Sequence, residues 1–173
     1  MPEIPGIQRV TSVKVLGVTL SSNFSMEDHV DYVTTSSARS LYALRILRSH
    51  GMCHADLHIV FQATIISRLQ YASPAWWGFA NSAQKDRLEG FLRRSIKAGF
   101  YSAASPSFAT MCDTADANLL HKVSSNGEHI LHCLLPTKTM NHYNMRQRSH
   151  DYRLPDKKNS LFERNFFIRV FYQ

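Results

Sequence analysis

The chain has 173 residues, enough for one ordinary domain or for a small domain with a tail. Its hydrophobic content of 44% and aromatic content of 11% exclude an intrinsically disordered protein, and no apolar run approaches the roughly 18 residues of a membrane-spanning helix. The formal charge of +7 raises two readings, a polyanionic partner or a solvated basic surface.

The N-terminal "MPEIPGIQRV" has neither a basic n-region nor an apolar h-region, so no secretory signal is expected. Three scattered cysteines, Cys53, Cys112 and Cys133, make no disulfide framework, and a reducing, intracellular setting is the default. Residues 1–84 balance six Lys/Arg against five Asp/Glu, whereas 85–97 hold five against two and 138–169 eight against three. The second half is the basic one.

"SVKVLGVTL", Ser12–Leu20, is valine-rich and reads as one half-buried strand. A strand needs a partner, and no second convincing strand appears, so its partner is expected upstream of this chain. Ser25 then opens a helix as N-cap, with Asp28 three residues on as a variant capping box. Met26, Val30, Val33, Ser37, Leu41, Leu44 and Leu47 fall within one arc of about 120°, a core-facing stripe. Gly51 should end this helix. Its other face carries Tyr42 and Ile46 flanked by Arg39 and Arg45.

A second helix is expected from about Ala55 to Ala72, with Leu57, Val60, Phe61, Ile65 and Leu69 inward and Pro74 enforcing the stop. A third should start after Asn81, capped with Gln84, and run to about Ala98. Leu88, Phe91, Leu92, Ser95 and Ile96 make its apolar face, while Arg87, Arg93, Arg94 and Lys97 fill a separate arc of about 120°. Beyond Gly99, short helices are expected near Phe108–Cys112 and Ala115–Leu135. The stretch Pro136–Ser160 should be extended, and Leu161–Tyr172 a buried or docking helix.

Nine histidines invite a metal reading, with Cys53, His54 and His58 in one cluster and His129, His132 and Cys133 in another. His54 and His58 share a helix face at i, i+4, but no CxxC pair or HExxH pattern accompanies them, so structural histidines are the expectation. No GxSxG, phosphate-cradling glycine pattern or adjacent aspartate pair occurs. Glu27, Asp28 and Asp31 sit in the first turns of a helix, where the dipole accounts for them. Nothing resembles an enzyme active site, and no cofactor is expected.

"YASPAWWGF" bunches Tyr71, Trp76, Trp77 and Phe79. Burying each would contribute about 4–6 kcal/mol before entropy is subtracted, against about 1–3 kcal/mol per base for a stacking platform. No basic residue lies between Tyr71 and Phe79, so these four are expected to anchor the core, with one tryptophan partly exposed. Arg87, Arg93, Arg94 and Lys97, and secondarily Arg39 and Arg45, are the candidates for nucleic-acid backbone contact. The competing reading of either face is ordinary solvated surface.

"VKVLGVTLSSNFSMEDHV", "ARSLYALRIL", "YASPAWWG" and "RLEGFLRRSIK", in that order, resemble the region just downstream of the polymerase core in reverse transcriptases of non-LTR (LINE-type, jockey-like) retrotransposons. The tail words "HILHCLLP", "MRQRSHDYRLP" and "NFFIRVFY" extend the resemblance to about Tyr172. It implies that residues 1–24 hold a strand from the palm edge, 25–100 a thumb-like helical bundle that packs on nascent duplex, and 101–173 a helical and loop tail. The fold class expected is therefore mainly α with one N-terminal strand.

The family's palm motif, with its metal-binding aspartates, is not in this sequence, so no polymerisation is expected. The resemblance implies a truncated or degenerate product starting at an internal Met1. Its residual role would be sequence-independent binding to RNA or an RNA–DNA hybrid, with self-association through a palm-facing apolar surface and no membrane partner. Two alternatives stand beside it: a non-enzymatic helical interaction module or inert relic, and a metal-binding module using His54, His58, His129 and Cys133.

Overall fold

The computed structural model describes residue 6 and residues 8–138, 151–156 and 159–172. Much of the stretch expected to be extended, at 139–150 and 157–158, lies outside the described residues. The chain is mainly helical, with a two-stranded antiparallel sheet near the N-terminus and a short helix near the C-terminus. It divides into two compact units interleaved in sequence, Met1–Ala72 with Ala80–Phe108, and Ser73–Phe79 with Ala109–Gln173.

The first unit opens with a correction. The valine-rich segment is a hairpin rather than one strand, with β1 (Ser12–Val15) paired to β2 (Val18–Ser21) in the register Val15↔Val18. Leu16 and Gly17 both take positive φ, 46° and 87°, the handedness that a two-residue turn between right-twisted strands requires. The missing partner strand is thus the segment's own second half. All four residues of β1 are exposed, while β2 turns Val18 inward and lies against the long helix that follows.

That helix, α1 (Glu27–Ser49), starts one residue later than expected. Met26 is its N-cap and supplies no side-chain bond, and the Ser25 hydroxyl accepts from the nearer Glu27 amide at 3.3 Å. Met26, Val30, Val33, Ser37, Leu41 and Leu44 are buried as the stripe predicts. Leu47 is 38% exposed, because the buried stripe ends a turn before the helix does. The buried Thr34 hydroxyl is satisfied within the helix by donating to the Val30 carbonyl at 2.7 Å. Gly51, at φ 91°, closes α1 with a Schellman pair of bonds, Met52 amide to Leu47 carbonyl and Gly51 amide to Arg48 carbonyl, both 3.1 Å.

The second helix is α2 (His54–Phe61), a π turn (Gln62–Ile66) and α3 (Ser67–Gln70) in continuous succession. The extra residue of the π turn brings both Ile65 and Ile66 inward beside Leu57, Phe61 and Leu69. It also leaves the Gln62 carbonyl to accept from the Ser67 hydroxyl at 3.0 Å. The helix ends two residues before the expected Ala72, as Tyr71 leaves the helical region at ψ 124° and Ala72 takes φ 52° in a turn. Pro74 then falls within the first turn of a new short helix, α4 (Ser73–Trp76), where its missing N–H matters little.

Helix α5 (Ser82–Lys97) carries the full capping box read from Asn81 and Gln84. Its face of Leu88, Phe91, Leu92 and Ser95 is buried. Gly99 (φ 76°) closes α5 with the same device as Gly51, Phe100 amide to Ser95 carbonyl and Gly99 amide to Ile96 carbonyl.

In the first unit α1 is the central helix, in contact with α2, the π turn, α3, α5 and β2. Tyr71 is not a core anchor. Its ring lies over the hairpin turn, close enough that a Cβ on Gly17 would stand 3.1 Å from Tyr71 Cε1, and the side chain is left 55% exposed.

The second unit holds both tryptophans, and both are buried, in a T-shaped pair with centroids 6.1 Å apart. The expectation that one would be partly exposed fails because the 3-10 turn Trp77–Phe79 rotates the second ring inward. Phe79 is half-buried. The two short helices expected after Phe108 are one, α6 (Phe108–Ser125), and the expected C-terminal helix is two, α7 (Ser160–Glu163) and α8 (Phe166–Phe171), with Asn159 and Asn165 as caps. The second cap at Asn165 is what interrupts it.

Asp116 is the buried charge of this unit. Its Oδ2 accepts from Arg169 Nε at 3.0 Å and Nη2 at 2.6 Å, and Arg169 Nη1 reaches the Arg164 carbonyl at 3.2 Å. A side chain on Gly78 would collide with the Arg169 guanidinium and the Arg164 carbonyl, so only glycine lets the arginine through. Burial pushes the Asp116 carboxyl up from its ordinary range, while the hydrogen bonds and charge of Arg169 pull it back. Burial likewise pushes the nearby Cys112 thiol up to about 12, with the neighbouring Ser73 acting in the opposite direction. That thiol is an inert core group.

Breaking the buried pair from one side leaves an uncompensated charge. Arg169→Ala should therefore cost about 3–5 kcal/mol, and Asp116→Leu with Arg169→Met much less. Urea denaturation read by the fluorescence of Trp76 and Trp77 checks this, and equal losses in the two variants would contradict it.

In the first unit, buried His29 accepts the Thr19 amide on Nδ1 at 3.4 Å, joining α1 to β2. Burial, with the Lys14 charge adding to it, holds its pKa below the ordinary 6.5. The unfolded chain then binds more protons between those two values. Stability held by neutral His29 is present above pH 6.5 and is lost as pH falls through the lowered value. Denaturation midpoints followed by circular dichroism from about pH 7.5 to about pH 5 should fall in the wild type more than in His29→Gln. Parallel curves would contradict the assignment.

Candidate nucleic-acid interface

Two contacts fix how α5 lies on α1. Near their N-terminal ends Arg87 forms an ion pair with Asp31, both about half exposed. At their C-terminal ends Arg48 Nη1 donates to the Ala98 carbonyl at 2.7 Å, and its guanidinium lies 4.3 Å from the centroid of the Phe100 ring. The two helices therefore run in the same direction, and α2–α3 is the return path between them.

The consequence is electrostatic. Between Tyr32 and Ala55 there is no Asp or Glu, nor between Gly90 and Cys112. These acid-free stretches include the C-terminal halves of α1 and α5, which carry Arg39, Arg45, Arg48, Arg93, Arg94 and Lys97. Parallel packing sets both halves at one end of the bundle. The acidic residues Glu27, Asp28 and Asp31 collect at the other, where Glu27 and Asp28 border a polar cleft of about 260 Å³ whose Ser21, Asn23 and Ser25 bond to one another. Cations at helix C-termini answer the helix dipoles as well. Arg48, bonded to the α5 carbonyl terminus, is used in that way.

The expected residues are not all equivalent. Arg94 follows Arg87 by seven positions and Arg45 follows Asp31 by fourteen, so both return to within about 40° of the flanks that the Arg87–Asp31 pair brings together. The two faces kept apart in the sequence, one on each helix, thus meet along one groove. Arg93 and Lys97 stand further round α5, on its solvent side, and both are exposed. Arg39 lies about 80° round α1 from Asp31 and is the outlying member. Arg87 differs in kind, since Asp31 neutralises it. Tyr42, 64% exposed, lies beside Arg45 on α1 and offers a ring to the same groove.

Sequence reasoning missed two contributors. Arg48 stands in the last turn of α1, where its own helix dipole would account for it, and only the parallel packing shows that it caps a different helix. Gly90 was silent in the apolar pattern. It is buried, and the atoms nearest to a would-be Cβ are Arg94 Nη1 at 3.4 Å and Arg93 Nη2 at 3.8 Å.

The histidine clusters are engaged otherwise. Cys53 bonds Asp56, His58 stacks on Tyr101 with centroids 5.6 Å apart, and its Nε2 lies 3.1 Å from Gln62 Nε2. His129 Nδ1 accepts the Leu131 amide, and His132 Nδ1 lies 2.8 Å from the Val123 carbonyl. Among the described residues no group of three potential metal ligands comes together. No helix among them is long and apolar enough to cross a membrane. No family model matches the chain, and neither a curated protein nor a solved structure matches it.

Proposed function

We propose that this chain is the thumb-and-tail portion of a LINE-type reverse transcriptase, without polymerase chemistry of its own, and that it grips the sugar–phosphate backbone of RNA or RNA–DNA duplex without reading sequence. The observation that carries the binding reading is the gathering of two acid-free, arginine-bearing helix halves at one end of the α1/α5 pair. Such a surface neutralises phosphates and releases counterions, which gives affinity without base discrimination. The order of the sequence words supports the family origin, and an up–down–up helical bundle is compatible with a thumb.

A second reading, a helical module that docks on protein, is favoured by a different observation. Val13, Val15 and Leu16 on the hairpin are 48%, 47% and 86% exposed, an apolar face of the kind that mediates association.

Fluorescence anisotropy with a labelled RNA–DNA hybrid tests the first reading. With about four phosphate contacts, affinity should fall about 100-fold between about 50 and about 200 mM salt, and Arg93→Glu with Arg94→Glu should remove most of the low-salt binding. An unchanged affinity in the double variant would overturn the site. No binding at low salt by a chain whose circular dichroism is helical would leave the docking module.

A further inference from the structure

We propose that Arg93 and Arg94, folded back over Gly90, form a seat for a single phosphate within the basic surface; this deepens the backbone-binding reading and rests on it. Long side chains on a helix lean toward its N-terminus, so residues three and four positions after Gly90 cover the same spot. Both do so here. Arg93 Nη2 and Arg94 Nη1 lie within 4 Å of the point where a Cβ on Gly90 would sit, and no other atom beyond its immediate helical neighbours does.

The glycine accounts for this convergence. With no side chain in the way, two guanidinia settle onto the same patch of helix and bury it. Two like charges brought to one spot repel each other unless something neutralises them, and ion pairs among the described side chains involve Arg87 and Arg169 but neither of these. The nearest acid on α5 is Glu89, one turn before Arg93, with Asp86 a further turn back, and no ion pair joins either to Arg93 or Arg94. A phosphate oxyanion spreads its charge over tetrahedrally arranged acceptor oxygens that can bridge two planar forks, which a chloride ion cannot do. One phosphodiester of a backbone lying along the α1/α5 groove fits the description.

The proposal separates geometry from charge. Gly90→Leu keeps every charge, and its side chain grows from a Cβ whose neighbours are the two guanidinia, so the seat is displaced. Gly90→Ala places a Cβ at ordinary contact distance, 3.4 Å from Arg94 Nη1, and should leave the seat intact.

The probe is inorganic phosphate, titrated at constant ionic strength into the full chain while the arginine Nε–H resonances are followed by NMR. In wild type and Gly90→Ala the Arg93 and Arg94 signals should move together and saturate at one concentration. In Gly90→Leu that saturation should be lost, with hybrid affinity down several-fold and the salt slope shallower by about one contact. Should Gly90→Leu unfold, Arg93→Lys with Arg94→Lys keeps charge and helix while removing both forks, and is expected to behave as Gly90→Leu was. Linear, unsaturated shifts in wild type would overturn the seat. So would hybrid binding that the fork-removing variant leaves untouched, and that result would leave the backbone-binding reading standing. Saturable phosphate binding by a chain that ignores the hybrid would support the seat as an anion site and overturn the nucleic-acid reading.

Discussion

The parallel docking of α5 on α1 is the constraint on which the proposed binding surface depends. It is held at one end by a charge pair, Arg87 with Asp31, and at the other by a guanidinium given to a helix terminus, Arg48 with the Ala98 carbonyl. The first is half exposed and contributes little energy; the second satisfies a carbonyl that the end of α5 leaves without a helical donor. Between them the apolar stripes of the two helices do most of the holding. The sense of the packing has an electrostatic price, since two negative helix ends and several arginines gather in one place. Arg48 answers one of those helix termini, and the proposed function assigns the remaining arginines to an external anion.

The second unit solves a different problem with one residue. Arg169 crosses the bare backbone of Gly78 and neutralises Asp116 in the interior, tying the last helix to α6. A buried pair of this kind is a weak source of net stability, yet losing either partner leaves a charge unmatched in the interior. The tryptophan pair supplies the apolar burial beside it. The aromatic cluster that looked like a single anchor is therefore divided by its backbone: Trp76 and Trp77 serve this core, while Tyr71, two residues before α4, covers the hairpin turn in the other unit.

What could be read from the sequence follows the range of the interaction that decides it. The capping box of Asn81 and Gln84 and the glycine stops at Gly51 and Gly99 are local and were legible. So were the stripes of α1 and α5, whose period is set by helix geometry. The hairpin was missed because Leu16 takes a positive φ that leucine disfavours, so no Asn-Gly or Asp-Gly signal marked the turn. The π turn was missed because it shows itself only when Ile65 and Ile66 both turn inward. The candidate site was half legible. Charge segregation along each helix was visible, but that two helices would present their basic halves together depends on their relative direction, which no local pattern encodes. Arg87 illustrates the limit. It sits on the basic arc like the rest, and only a partner 56 positions away removes it from the set of available charges.

The central claim, that one surface built from both helices meets the anion, is tested most directly by amide hydrogen exchange of the full chain with and without an RNA–DNA hybrid at low salt. The account predicts slower exchange in the C-terminal halves of α1 and α5 together, including the turns at Gly51 and Gly99, with the acidic start of α1 unchanged. Slowing confined to one of the two helices, or centred on the hairpin, would contradict it.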